Sequence, residues 1–307
     1  MKTLVLSMIS IAATLAAMTA CTSEGDPIDE GTKDTPVEIK LNAGVMEITS
    51  KAAIEKGKGF TAKVIASATT KDYSSPLWTK TNAGNITVAD GGNVTFSPEQ
   101  YYPADGSTIY MIGIAPQPEN AISNGTVNYT ITGDEDIMFA EEISGKKKED
   151  TPTSKELQFK HLLTQLKIQV IAENQDAIDA WGTITSIQVL DAATELNLDL
   201  GGTIAEASDP KKKALDLNGF STEMDIPSDN AKDAGYCMLL PLNNSVYKIL
   251  VKTSKNDTGV TIPPANLTKL DASTAYTIKL TFKSTNVVVT ATAGEWVPNT
   301  EGSGTVE

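Results

Sequence analysis

The sequence has 307 residues, 40% of them hydrophobic, and carries a formal net charge of −14 at neutral pH. All 25 basic residues are lysines, so the acidic surface repels phosphate backbones and offers no guanidinium for bidentate anion recognition, which excludes nucleic acid as a partner. A single histidine and two cysteines leave few side chains for nucleophilic catalysis or metal ligation. At the N-terminus, Lys2 precedes an apolar run from Leu4 to Ala17 that ends in small residues before Cys21, the pattern of a signal peptide over residues 1–20.

Met18-Thr19-Ala20-Cys21 resembles a bacterial lipobox, which makes Cys21 the expected lipidation site and the first residue after cleavage. Two or more acyl chains hold a protein on a membrane far more firmly than one, at roughly 0.8 kcal/mol per buried methylene. An ordinary secretory signal with an incidental cysteine is the competing reading. With Cys21 lipidated, Cys237 has no disulfide partner within the chain, and one Cys with one His cannot build a structural zinc site. Residues 21–35, mostly Ser, Gly, Thr, Asp, Glu and Pro, bury almost nothing and read as a flexible tether.

Strand signals begin directly after the tether. Val37, Ile39, Leu41, Ala43 and Val45 alternate with Glu38, Lys40, Asn42 and Gly44, the period of a strand with one face in a core and one in water. Thr108 to Ile112 is more continuously apolar and suits a strand buried on both faces. The polar, Lys-rich stretch from Gly145 to Ser154 predicts a boundary between a domain at 36–155 and another at 156–307, with a long hairpin loop as the alternative. Beyond it, Leu166 to Val170 and Leu196 to Leu200 alternate again, while Glu173 to Trp181 suits only a short surface helix or a loop. Tyr276 to Phe282, the polar turn Lys283-Ser284-Thr285-Asn286 and Val287 to Ala293 together predict a hairpin. Short alternating strands separated by Gly, Pro, Asn and Asp indicate an all-β chain built of sandwiches. Domains usually run about 100–150 residues, so the chain beyond the signal peptide is long enough for two.

No residue set in the sequence points to catalysis, and an enzyme is not expected. His161 sits among apolar residues and reads as structural, and Cys237, in Tyr236-Cys237-Met238-Leu239-Leu240, reads as a small core residue. Asp134-Glu135-Asp136 lacks the spacing and central glycine of a calcium loop and reads as a solvated turn. Phosphate-binding loops, dinucleotide fingerprints and zinc-protease helices are absent from the sequence, and no cofactor or metal is expected. Trp78, Trp181, Trp296 and the pair Tyr101-Tyr102 suit core or sheet-edge packing, with stacking on sugar rings as the alternative.

Three stretches taken together, the lipobox, Leu157 to Ile168, and Tyr276 through Trp296, resemble the fimbrillin-like proteins of Bacteroidota; Tyr101-Tyr102-Pro103-Ala104-Asp105-Gly106 with the strand that follows is also similar. The resemblance spans nearly the whole chain beyond the signal peptide and rests on the order of the pieces. It implies two transthyretin-like β-sandwich domains in tandem, export as a surface lipoprotein of the outer membrane, and polymerisation into a fimbria with other subunits by strand donation, contributing to adhesion to host or bacterial surfaces. The acidic residues after Cys21 are also similar to the signal that sends such lipoproteins to the outer cell face.

In that scheme Val37, Ile39, Leu41, Ala43 and Val45 form a removable plug strand, and processing is expected at Lys51-Ala52. The absence of arginine departs from the family's usual basic cleavage site, so processing uses lysine or does not occur. The tail after Trp296 is short and polar, which makes Val287, Val289, Ala291 and Ala293 the candidate donor strand, or else makes the chain a tip or anchor that only accepts one. A monomeric lipoprotein that binds glycans through exposed aromatics is the rival reading.

Overall fold

The computed structural model describes residues 35–46, 58–80, 82–119, 121–147, 155–209, 211–262 and 267–294. Residues 1–34, 47–57 and 295–307 lie outside that set, and with them Cys21, the tether, Lys51, Ala52 and Trp296. Eight strands come first: β1 (Leu41–Val45), β2 (Phe60–Ser67), β3 (Asn85–Val88), β4 (Val94–Phe96), β5 (Ile109–Ala115), β6 (Thr126–Thr130), β7 (Met138–Gly145) and β8 (Lys155–His161). After β9 (Thr164–Ala172) comes a short helix, α1 (Gln175–Trp181). The chain continues with β10 (Thr183–Ala193), β11 (Glu195–Asp199), β12 (Ile204–Glu206), β13 (Lys212–Asp216) and β14 (Met224–Asp225). It ends with β15 (Lys232–Leu239), β16 (Ile249–Thr253), β17 (Asn256–Ile262), β18 (Ala275–Phe282) and β19 (Val287–Gly294).

Each alternating stretch read from the sequence contains a strand, because alternate side chains reach a core, although in the first, read from Val37, only Leu41–Val45 is strand and Glu38 makes an isolated bridge. β9 buries Leu166, Ile168 and Val170 completely, and β11 does the same with Leu196 and Leu198. The apolar run at 108–112 lies in β5, whose Met111 faces one apolar cluster while Ile112 and Ile114 face another. The hairpin of β18 and β19 pairs without a register shift from Ala275–Gly294 to Phe282–Val287, and Lys283 N donates to Asn286 O across the turn at 2.8 Å. At α1 the Asn174 side chain caps the helix by accepting from Ala177 N at 3.0 Å.

Four sheets surround three apolar clusters. A seven-stranded sheet has the order β1-β8-β7-β5-β2-β3-β4 and encloses a cluster that includes Leu41, Phe60, Val64, Met111 and Phe159. Its other face, with the sheet β12-β11-β6, holds a second cluster around Ile114, Val127, Leu196 and Leu198. The sheets β15-β9-β18-β19 and β13-β10-β16-β17 contribute to the third, with Leu166, Ile187, Val251, Ile278 and Phe282. The anticipated division at 155/156 falls at the start of β8, which pairs with β1 and β7, and the chain reaches β9 through Leu162-Leu163. Strands from the two sides also meet directly, since β6 pairs with β11 over five residues. Parallel pairing of β1 with β8 and of β9 with β18 is invisible to periodicity, which reports the face of a residue and not its neighbour.

Candidate functional site

The leading strand lies where the seven-stranded sheet comes back on itself. Ile39, Leu41, Ala43 and Val45 are each at most 3% exposed, Val37 is partly buried behind them, and the intervening Glu38 and Lys40 are exposed. Along one side β1 runs parallel to β8, in register from Leu41 opposite Lys155 to Val45 opposite Phe159, and Met46 N donates to Phe159 O at 2.8 Å.

The opposite side is held more sparsely. Isolated bridges join Glu38 to Tyr101 and Asn42 to Asn93, with backbone donation from Ile39 N to Gln100 O, Tyr102 N to Val37 O and Ala43 N to Gly92 O. β1 is therefore the last strand of the sheet by ladder and the closure of its seam by these few bonds. Gly92 permits the close approach: its φ is +91°, and a Cβ there would meet Ala43 O at 2.7 Å. An open cleft of about 520 Å³ beside this end of the seam is lined by Gly44, Val45, Lys58, Gly91 and Gln158 among others.

The candidate donor strand is elsewhere, in another sheet. β19 lies at the end of its sheet; Val289 is buried, Val287 and Ala291 pack partly against the C-terminal cluster, and Ala293 is exposed. Plug and donor candidates are thus not brought together within one chain.

Titratable groups are tied into structure. His161 ends β8, fully buried, with Nδ1 2.8 Å from Asp136 Oδ1. Asp136 is thus not part of a solvated turn, as the sequence suggested: it is 7% exposed because the imidazole partners it. Its neighbours point to other tasks, Glu135 accepting from Thr132 N and Oγ1 and from Gly133 N, and Asp134 accepting from the Tyr236 hydroxyl. A lone histidine and one of three adjacent acids, 25 positions apart in sequence, give no signal from which this pair could be read. Cys237 is buried, and burial pushes its thiol pKa up to about 12, which keeps it protonated and unreactive. Among the described residues no cluster of His, Cys, Asp and Glu could hold a metal ion.

Among the described residues the scaffold is nearly all β and an edge strand closes an apolar groove. A family described as fimbrillin-like matches residues 49–296. The chain belongs to that fimbrillin-like family. A candidate cell adhesion protein from Bacteroides uniformis superposes with a TM-score of 0.61 at 17% identity, over 85% of this chain and 99% of its own. A second, from Bacteroides ovatus, gives 0.61 at 15% identity, covering 86% and 99%. A fimbrial protein from Bacteroides vulgatus gives 0.52 at 14% identity, covering 84% and 99%. A search of curated proteins found no match. At these identities the structures establish a common fold, and membership of the family supports a role as a fimbrial subunit at the cell surface.

Among the described residues, the aromatics singled out from the sequence have separate surroundings. Trp181 donates its indole N–H to Lys283 O at 2.6 Å and packs edge-on against Phe282, fastening α1 to the β18–β19 turn. Tyr102 is buried, whereas Tyr101 is exposed and its hydroxyl donates to Glu99. Trp78 is partly buried and packs edge-on against Phe96 at 5.7 Å.

Proposed function

We propose that this chain is a structural, non-catalytic subunit of a cell-surface fimbria, carried to the outer membrane by lipid on Cys21 and assembled by donor-strand exchange once it has been cut away from that lipidated segment. In this reading the chain comprises two tandem transthyretin-like sandwiches, 36–155 and 156–307. A cut at Lys51-Ala52 releases β1, and a strand from another subunit takes its place. β19, with Val287, Val289, Ala291 and Ala293, is the segment proposed to be donated.

One observation supports the reading: a short N-terminal segment, Ile39 followed by β1, last in its sheet, supplies four buried side chains to a core whose seam it closes with few backbone bonds. Burying a Val, Leu or Ile side chain is worth about 1.5–3 kcal/mol, so an emptied groove is strongly attractive to a strand of matching alternation. Contacts made head to tail propagate as fibres where the rotation between successive subunits does not close a ring.

The test is recovery of assembled protein from the cell surface, heat-dependent laddering on a denaturing gel, and N-terminal sequencing of the ladder. Multimers that start at Ala52 are expected. Multimers that start at Cys21 reject the cut, and monomers alone reject polymerisation.

A further inference from the structure

A second surface, across β2 and β3, has the chemistry of a binding site, and its lining includes no residue of β1 or β19. An open cleft of about 510 Å³ is walled by Trp78, Lys63, Asn82, Asn85 and Gln117. A smaller one of about 320 Å³ shares Asn82, Asn85 and Gln117 and continues the groove along β3 past Thr87. Together they form an elongated trough with an aromatic wall at one end and amide side chains along it.

The walls are set in advance of any ligand. Lys63 Nζ donates to Ala83 O at 3.0 Å and to Asn85 Oδ1 at 3.1 Å, which fixes the Asn85 amide and commits its oxygen, leaving the NH₂ as the free donor. The loop carrying Trp78 is pinned by Leu77 N to Ala66 O and Val64 N to Gly84 O, at 2.8 and 2.7 Å. Tyr129 holds the opposite wall by donating to Pro116 O at 2.9 Å, one residue before Gln117. Among the described residues, the Trp78 indole N–H and the amides of Asn82 and Gln117 make no protein hydrogen bond. Pre-set polar groups beside an aromatic side chain lower the ordering cost of binding.

We infer that this trough binds a neutral pyranose oligosaccharide, with a sugar ring against Trp78 and the amides of Asn82, Asn85 and Gln117 paired to its hydroxyls. Amides both donate and accept, as hydroxyls do, and an indole combines apolar area with a polar edge. Within the cleft Lys63 and Lys80 stand with Glu119, and Lys63 already donates to Ala83 O and Asn85 Oδ1, so the lining is close to charge balance without any arginine, and the net charge of −14 further disfavours polyanions. A peptide binding by strand addition is disfavoured as well, because β3 is already paired on both sides, with β2 and β4. No residue lining the trough belongs to β1 or β19, so binding and assembly are tested separately.

The experiment is calorimetric titration of the purified full chain with neutral hexaoses (maltohexaose, xylohexaose, mannohexaose and chitohexaose), and with hexagalacturonate as the acidic comparison. At least one neutral hexaose is expected to bind with a Kd of roughly 0.01–1 mM. Trp78→Ala should weaken it by about tenfold or more, and Asn82→Ala and Gln117→Ala by about threefold to tenfold each. Because Trp78 also touches Phe96, the two exposed amide variants, with unchanged melting temperature, decide the matter if Trp78→Ala fails to fold. No neutral hexaose binding, binding of the acidic one alone, or affinity unchanged in the amide variants overturns the inference.

Discussion

Leu41→Ala is the most informative single change to the leading strand. The side chain is 3% exposed and lies within the cluster around Phe60, Val64 and Phe159. Truncating a buried leucine costs about 2–5 kcal/mol, the spread reflecting how far the site can collapse. Here the neighbours of β1 are a full ladder on one side and only scattered bonds on the other, so a central value of about 3 kcal/mol is reasonable. That shifts the equilibrium for strand release by roughly a hundredfold. Denaturant unfolding of the uncut chain should report the loss of stability, and a labelled peptide spanning 36–46 should enter the variant much faster than the parent. Lys40→Ala is the control: its side chain is 78% exposed and among the described residues pairs with Glu38 at 3.9 Å, and its effect should stay within about 0.5 kcal/mol. Equal behaviour of the two variants, or a peptide that enters neither, would refute the account of β1 as a removable plug.

Three other outcomes are open to direct measurement. Asp136→Ala removes the partner of a buried imidazole and should lower stability by about 2 kcal/mol in chemical denaturation, whereas Asp134→Ala, whose carboxylate lies at the surface, should cost clearly less. Gly113→Ala places a Cβ 2.5 Å from Phe159 Cζ and should destabilise by about 1–3 kcal/mol through overpacking, partly rescued when combined with Phe159→Leu. Cys237 should resist iodoacetamide in the native protein at pH 8 and react fully in denaturant. Since burial raises its pKa from 9.0 to about 12, the thiol's contribution to stability is complete below pH 9 and declines as the pH climbs toward 12.

Strand identity was legible in the sequence wherever one face alone is buried. Ile39, Leu41, Ala43 and Val45 announce themselves by period two, and so do Leu196 and Leu198. The hairpin at 275–294 was legible for a different reason, a short polar turn between two β-rich runs. Partners were not legible. Nothing in Lys155 to Phe159 says that it will run parallel to β1, because register between distant strands is decided by the shape of the shared core. The same limit hid the Asp136–His161 contact and the trough beside Trp78, each assembled from positions that only the fold makes neighbours.

The proposed exchange has a direction that the side chains themselves set. If β19 of one subunit entered the groove of the next with Val287, Val289, Ala291 and Ala293 in place of Ile39, Leu41, Ala43 and Val45, the fit would be poorer. It would bring one methylene fewer at each of the first two pockets and two fewer at the last, about 3 kcal/mol in all at ~0.8 kcal/mol each. β19 would also have to leave an eight-residue ladder with β18. An intact chain, in which β1 remains tethered beside its own groove, should therefore stay monomeric even at high concentration, because a tethered strand competes at high effective concentration. A cut at Lys51 ends that covalent link between β1 and its groove and leaves β1 with the lipidated N-terminal segment, which makes exchange a one-way step. Lys51→Ala should block assembly if lysine marks the cut, and Val289→Leu with Ala293→Val should speed assembly of the cut chain by restoring pocket volume. Polymerisation of the uncut Lys51→Ala chain at the parent rate, followed by light scattering, would show that proteolysis is not the gate.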